Sequence, residues 1–177
     1  MDEITFDQIS TASSEEIINE AIKEYGKEIL QLVYSYVKNR AAAEDLTQEI
    51  FIKCYKSLHT YKQKSTFRTW LWRIAINHSK DYLKSWHYKN IVLAIEEPFL
   101  HEDSNIALEK SIIQKDEDEE LAAVVMKLPV IYREVIYLYY FQELSIREIA
   151  ATLMKNESTI KTRLKRAKEL LKESLEG

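Results

Sequence analysis

Residues 145–171 read SIREIAATLMKNESTIKTRLKRAKELL, and their pattern decides the fold class. Ser145 and Glu148 have the spacing of a capping box, so a helix starts there. Ile146, Ile149, Ala150 and Leu153 then recur at i, i+3, i+4 and i+7, which puts them on one helical face. The polar break Lys155–Asn156–Glu157 interrupts the pattern, and Asn156 suits the N-cap of a second helix, a contribution of about 1 kcal/mol. In that second helix Ile160, Leu164, Ala167 and Leu171 form the inward stripe. Ser158, Thr162, Lys165, Arg166 and Glu169 lie opposite, flanked by Lys161 and Arg163. A short helix, a tight turn and a basic second helix make a helix-turn-helix, the arrangement that lays one helix in the major groove of DNA. Arg and Lys on its outer face have the donors to reach phosphates and guanine edges.

Outward from this segment the rest of the chain also reads as helix. Its 177 residues hold only two Gly and two Pro, too few turn formers for a strand-rich protein. The apolar content of 46% supports real cores. Ser13 and Glu16 form a second capping box, opening a helix from Glu15 to about Tyr25, with a further helical run over Lys27–Asn39. Ala41–Leu58 reads as a third helix and Thr66–Trp86 as a fourth, with the basic loop Tyr61–Ser65 between them. Glu96–Asp103, with Pro98 and paired acids, reads as linker, and Ile106–Ile113 as a short helix feeding into Lys115–Glu120. Leu121–Leu128 and, after Pro129, Val130–Gln142 complete the set. The expected fold is all-α: a helical domain over residues 1–90, an acidic linker over 91–117, and a helix-turn-helix domain over 118–177.

Charge is distributed in blocks. The net value is −4, yet residues 53–89 hold nine basic groups against one acid, while residues 96–120 hold ten acids against two bases. Two basic patches separated by an acidic stretch suit two contacts with a polyanion. Cys54 is alone, which excludes an internal disulfide and favours a reducing compartment. The polar, acidic start carries no signal-peptide pattern, and no apolar run approaches the roughly 20 residues of a spanning helix. A cytoplasmic location is expected, without direct membrane insertion.

The fourth helix carries two apolar stripes, Phe67, Leu71, Ile74, His78 and Tyr82 on one side and Trp72, Ile76 and Leu83 on another. Between them lie Thr69, Arg73, Asn77, Lys80 and Lys84, a basic third side available to nucleic acid. Tyr61, Phe67, Trp70 and Trp86 have the faces to stack on unpaired bases, at roughly 1–3 kcal/mol each, although Phe67, Trp72 and Tyr82 also suit the core. On the third helix Ile50, Phe51, Cys54 and Leu58 point inward. Asp45, Gln48, Glu49, Ile52, Lys53 and Lys56 point outward, and Ile52 amid charges is suited to anchor a protein interface.

Together these motifs resemble the bacterial RNA polymerase sigma factors of the sigma-70 family. Asp45–Phe51 and Phe67–Asn77 with Asp81 resemble the family's domain two. Leu128–Pro129, Tyr132–Ile136, Leu144–Ala150 and Thr159–Ala167 resemble domain four. The length, with no domain three, resembles the extracytoplasmic-function group. The resemblance implies that Asp45, Gln48 and Glu49 dock on the clamp helices of the polymerase beta-prime subunit, to which the helical-face reading adds Ile52. It implies that Lys62, Lys64, Ser65, Thr66 and Phe67 capture flipped bases of the minus-ten element, with Arg73, Asn77, Lys80 and Lys84 behind them. It further implies that Ser158, Thr159, Lys161, Thr162, Arg163, Lys165 and Arg166 read the minus-thirty-five element. The implied partners are core RNA polymerase (beta-prime clamp helices and beta flap), promoter DNA and an anti-sigma factor. No cofactor, metal or small-molecule substrate is implied. Two positions depart from the family pattern: Met154 and Lys155 stand where the turn usually has Gly and a small apolar residue, and Lys84 stands where many relatives have Arg.

Two other readings compete. A free-standing helix-turn-helix regulator explains residues 145–171 but gives no role to the basic aromatic helix or to the Asp45–Glu49 face. An enzyme would need more than His78 and Asp81 at i, i+3 and the Glu44, Asp45, Glu49 cluster: no phosphate loop, metal spacing or nucleophile pair accompanies them.

Overall fold

The computed structural model describes residue 4 and residues 11–96 and 116–176, with backbone alone at 88, 90–96 and 116–120. The expected linker sequence from 97 to 115, including the short helix at 106–113, lies outside the described residues. Among the described residues there is no strand.

The first domain is built on three long helices. Helix α1 spans Ser14–Val37 and is capped as expected: Glu16 N–H donates to Ser13 Oγ at 3.2 Å, and Ser13 N–H donates to Glu16 Oε2 at 2.8 Å. The two expected helical runs on either side of Gly26 are one helix. The buried stripe explains this, because Ala21, Tyr25, Ile29, Leu32, Val33 and Tyr36 continue through Gly26 without a change of face. A glycine inside a helix costs about 1 kcal/mol, and burial of that stripe outweighs it. Lys38, left-handed at φ 56°, ends α1, and Asn39 caps α2 (Arg40–Ser57) by accepting from Ala42 N–H at 2.9 Å. A 3-10 turn, Leu58–Thr60, leads into the basic loop, and α3 then runs over Phe67–Glu96. That is ten residues beyond the expected end at Trp86, since nothing before Pro98 breaks the helix. Trp72 sits in the centre of this domain, edge-on to Tyr25 at 5.6 Å, with the Arg68 guanidinium 4.7 Å above its ring.

The second domain begins with α4 (Asp116–Lys127) and α5 (Val130–Ile136), which starts directly after Pro129. The expected single helix to Gln142 instead changes pitch: Tyr137–Phe141 forms a π turn, closed by Gln142 N–H donating to the Tyr137 carbonyl at 3.1 Å. The wider turn stacks Tyr137 on Phe141 at 5.5 Å. Helices α6 (Ile146–Leu153) and α7 (Glu157–Glu176) are the helix-turn-helix. Their contact buries Ile149, Leu153, Ile160, Leu164 and Ala167 as the periodicity requires.

The two domains are not separate. The C-terminal end of α1 and one side of α3 pack against α5 and α6, and the buried apolar side chains of both domains join in one cluster.

Candidate nucleic-acid and partner interfaces

The recognition face is set by the local chemistry of α6 and α7. Ser145 and Glu148 close the capping box in both directions, at 3.2 and 2.8 Å. The Ser145 hydroxyl and N–H hold the Glu148 carboxyl below its usual range. Met154 turns the chain with φ 53° and ψ 48°, its side chain 74% exposed. Its N–H and that of Lys155 both return to the Ala150 carbonyl, so the helix end is satisfied despite the missing glycine. The departure from the family turn is therefore accommodated by left-handed backbone at a non-glycine residue. On α7, Ser158, Lys161, Thr162, Lys165 and Arg166 are exposed and Thr159 is half-buried. Arg166 lies 3.1 Å from Glu169 and 3.6 Å from Glu173, loose surface pairs that a phosphate or base can displace. Arg163 differs: it is turned inward, 3.1 Å from Glu134 Oε1.

The basic loop and α3 divide in the same way. Lys62, Lys64, Thr66, Asn77 and Lys84 are exposed, and Ser65 is half-buried, its carbonyl accepting from Tyr61 Oη at 2.8 Å. Thr66 Oγ1 accepts from Thr69 N–H at 3.2 Å and starts the helix. Phe67, expected among the base-capturing residues, is 1% exposed and fixed in an aromatic group with Tyr61 at 5.8 Å and Trp70 at 5.6 Å. Its ring supports the loop from below and offers no free face to a base. Arg73 and Lys80, expected on an open basic side, meet the second domain instead. Arg73 Nε donates to the Ala151 carbonyl at 3.0 Å, and Lys80 Nζ lies 2.8 Å from Glu134 Oε2.

The α2 face is open. Asp45, Gln48 and Glu49 surround Ile52, which is 54% exposed. Glu49 also reaches across to His78 Nε2 at 2.7 Å, which ties this face to α3. Beside Ile52 an open apolar groove of about 630 Å³ runs between α1 and α2, lined by Ile22, Gly26, Gln48, Phe51 and Tyr55 among others. A second groove, about 460 Å³, lies on the helix-turn-helix domain between Leu121, Tyr140, Phe141, Leu171 and Leu175. Among the described residues no three His, Cys, Asp or Glu side chains gather where a metal ion would be held. No described helix is long and apolar enough to cross a membrane.

Residue-level reading of the sequence passed over Tyr36 and Glu134. Glu134 is 1% exposed at its side chain and binds Tyr36 Oη at 2.7 Å, Lys80 Nζ and Arg163 Nη1. The signal was present, an acid inside the short apolar run from Val130 to Phe141, but its partners lie far away in sequence.

Comparison with known proteins agrees with this geometry. The family model described as sigma-70 region 2 matches residues 21–87, and that described as sigma-70 region 4 matches residues 118–171. The extracytoplasmic-function (ECF) RNA polymerase sigma factor SigW of Bacillus subtilis is 33% identical over 165 residues, covering 85% of this chain and 84% of that protein. The ECF RNA polymerase sigma-E factor of Escherichia coli K12 is 34% identical, covering 86% and 83%. Among solved structures, the sigma factor RpoE of Bartonella quintana, in complex with the anti-sigma factor NepR, superposes with a TM-score of 0.71 at 21% identity, covering 91% of this chain and 98% of that one. The structure of CnrH, in complex with the cytosolic domain of CnrY, gives 0.66 at 21% identity, covering 96% and 94%.

Proposed function

The chain belongs to the sigma-70 family, in its extracytoplasmic-function group, as an alternative sigma factor that directs RNA polymerase to promoters, and from that membership we propose how its surfaces divide the work. Asp45, Gln48, Glu49 and Ile52 dock on the beta-prime clamp helices. The observation that carries this is the half-exposed Ile52 inside a charged ring, because a protruding apolar side chain with a polar rim is the makeup of an interface anchor. Lys62, Lys64, Ser65 and Thr66 meet the minus-ten strand with Asn77 and Lys84 behind them, Arg73 and Lys80 joining once freed from the second domain, while Phe67 holds the loop in shape. Capture of unstacked bases offsets the few kcal/mol that opening each step costs. Ser158, Thr159, Lys161, Thr162, Lys165 and Arg166, with Arg163 once released, read the minus-thirty-five element.

The units are residues 1–96, 97–115 and 116–177, shifted from the expected bounds of 1–90, 91–117 and 118–177 because α3 runs on to Glu96 and α4 starts at Asp116, and the middle one is an acidic connection that passes toward the polymerase active site. The beta flap takes the apolar groove of the second domain, whose Leu121, Tyr140, Phe141 and Leu175 are each more than 40% exposed. The protein works by binding rather than catalysis, in the cytoplasm where polymerase is. Related folds bound to anti-sigma factors support a protein antagonist of that kind here.

Transcription in vitro with core polymerase tests this reading. The chain is expected to start transcription only at promoters it selects, and Ile52→Asp to lose core polymerase in a pull-down while keeping its helical content. Unchanged capture of core by Ile52→Asp would refute the docking assignment.

A further inference from the structure

His78 has no part in the docking and DNA faces proposed above, yet it is bonded to one of them. Its Nε2 lies 2.7 Å from Glu49 Oε2, a contact from α3 to α2 between side chains 29 residues apart. A carboxylate accepts and does not donate, so Nε2 carries the hydrogen. The choice of partner is selective. Lys53 follows Glu49 at i+4 on the same helix, the spacing and order in which glutamate and lysine pair best. Among the described residues Glu49 makes no ion pair with Lys53, and its carboxylate is turned across to α3 instead.

The two partners are held unequally. The His78 side chain is 23% exposed and lies on the α3 stripe between Ile74 and Tyr82, both half-buried against the core. The Glu49 side chain is 58% exposed and sits on α2 between Asp45 at i−4 and Ile52 at i+3. The ring is therefore the fixed member and the carboxylate the one it holds. Only one carboxylate oxygen is used: Glu49 Oε1 has no partner among the described residues. A glutamate that must freeze its rotamers on binding loses affinity, and one already held does not. An imidazole suits this task. Lysine or arginine at the same place would cancel the charge of Glu49, whereas a neutral imidazole donates a hydrogen bond and leaves that charge for a partner.

We propose that His78 is a positioning residue of the docking face, fixing the Glu49 carboxylate beside Ile52 so that its second oxygen meets a cation of the polymerase already ordered. The docking face then depends on α3 as well as α2. Ile52 supplies the apolar anchor, and the held carboxylate supplies an oriented charge on its rim. This inference rests on the assignment of Asp45, Gln48, Glu49 and Ile52 to polymerase docking.

The affinity of the full chain for core polymerase tests it, with His78→Leu, His78→Gln, Glu49→Ala and the double variant His78→Leu/Glu49→Ala. Leucine keeps the apolar packing and loses the donor, while glutamine keeps an N–H donor of similar reach. His78→Leu is expected to weaken binding roughly two- to ten-fold, the worth of one hydrogen bond. His78→Gln is expected to recover most of that loss, and Glu49→Ala to lose at least as much as His78→Leu. In the Glu49→Ala background His78→Leu is expected to cost nothing further, because the contact it serves is already gone. A merely structural histidine would instead lower affinity equally with and without Glu49, so the comparison holds even where a variant is less stable. Equal loss in both backgrounds, or His78→Gln as weak as His78→Leu, would overturn the positioning role. So would wild-type affinity in His78→Leu beside a weakened Glu49→Ala, with the docking face left standing. Wild-type affinity in Glu49→Ala would overturn the docking role of Glu49 itself, and the positioning with it.

Discussion

Met154 has no branching at Cβ and almost no packing, yet it holds a left-handed backbone that costs an L-residue about 1–2 kcal/mol. Glycine meets no such cost there, although it loses more chain entropy on folding. Met154→Gly is therefore expected to stabilise the protein by about 1 kcal/mol, read as a rise in the urea midpoint with unchanged slope. Destabilisation would mean that the Met154 side chain contributes contacts its exposure does not suggest. Cys54 illustrates the opposite environment. It is fully buried, and desolvation pushes its thiol up to about 12, so at neutral pH there is almost no thiolate to react. Native protein is expected to resist a disulfide reagent that labels the unfolded chain at once, and rapid labelling of native protein would contradict the burial.

At the scale of the element, the capping box governs α6 and through it the pose of α7. Ser145→Ala removes the acceptor for Glu148 N–H and is expected to cost about 1 kcal/mol in a denaturation series. Glu148 adds a pH dependence whose sign follows from its depressed folded pKa. Its contribution is complete above the ordinary glutamate value of 4.5 and is lost as pH falls through the lower folded value. Thermal melts between pH 7 and pH 3 are expected to fall more steeply for wild type than for Glu148→Gln, and parallel slopes would remove the carboxylate from the account. On α7 itself, Arg166→Ala is expected to weaken minus-thirty-five binding by roughly 1–3 kcal/mol if the guanidinium reads a base. A loss equal across unrelated sequences would assign it to phosphate.

Over the whole molecule, acidic and basic blocks alternate while the total stays at −4. A protein with that sum, with two of its expected DNA-contacting cations, Arg73 and Lys80, facing the opposite domain and a third, Arg163, paired with Glu134 in its own, has little to hold DNA by itself. The isolated chain is expected to bind promoter duplex weakly and with steep salt dependence, and specifically only with core polymerase. Tight sequence-specific binding by the free chain in a salt series would favour a free-standing regulator.

Much of this was legible along the chain. The capping boxes at Ser13 and Ser145, the inward stripe of Ile160, Leu164 and Ala167, and the exposure of Ile52 all follow from interactions three or four residues apart, which periodicity records directly. The continuity of α1 through Gly26 and the change of pitch at Tyr137 were not legible, because there tertiary burial overrides local propensity. Nor was the inward turn of Arg73, Lys80 and Arg163. Their helical faces are basic as read, but Arg73 and Lys80 are covered by the other domain and Arg163 by Glu134 of its own, contacts between residues distant in sequence. Helix type, capping and charge pattern are short-range properties and so were set by sequence alone. The joining of Tyr36 and Lys80 to Glu134 depends on how two domains meet, and that of Arg163 on how α7 packs on α5, and only the tertiary structure decides either.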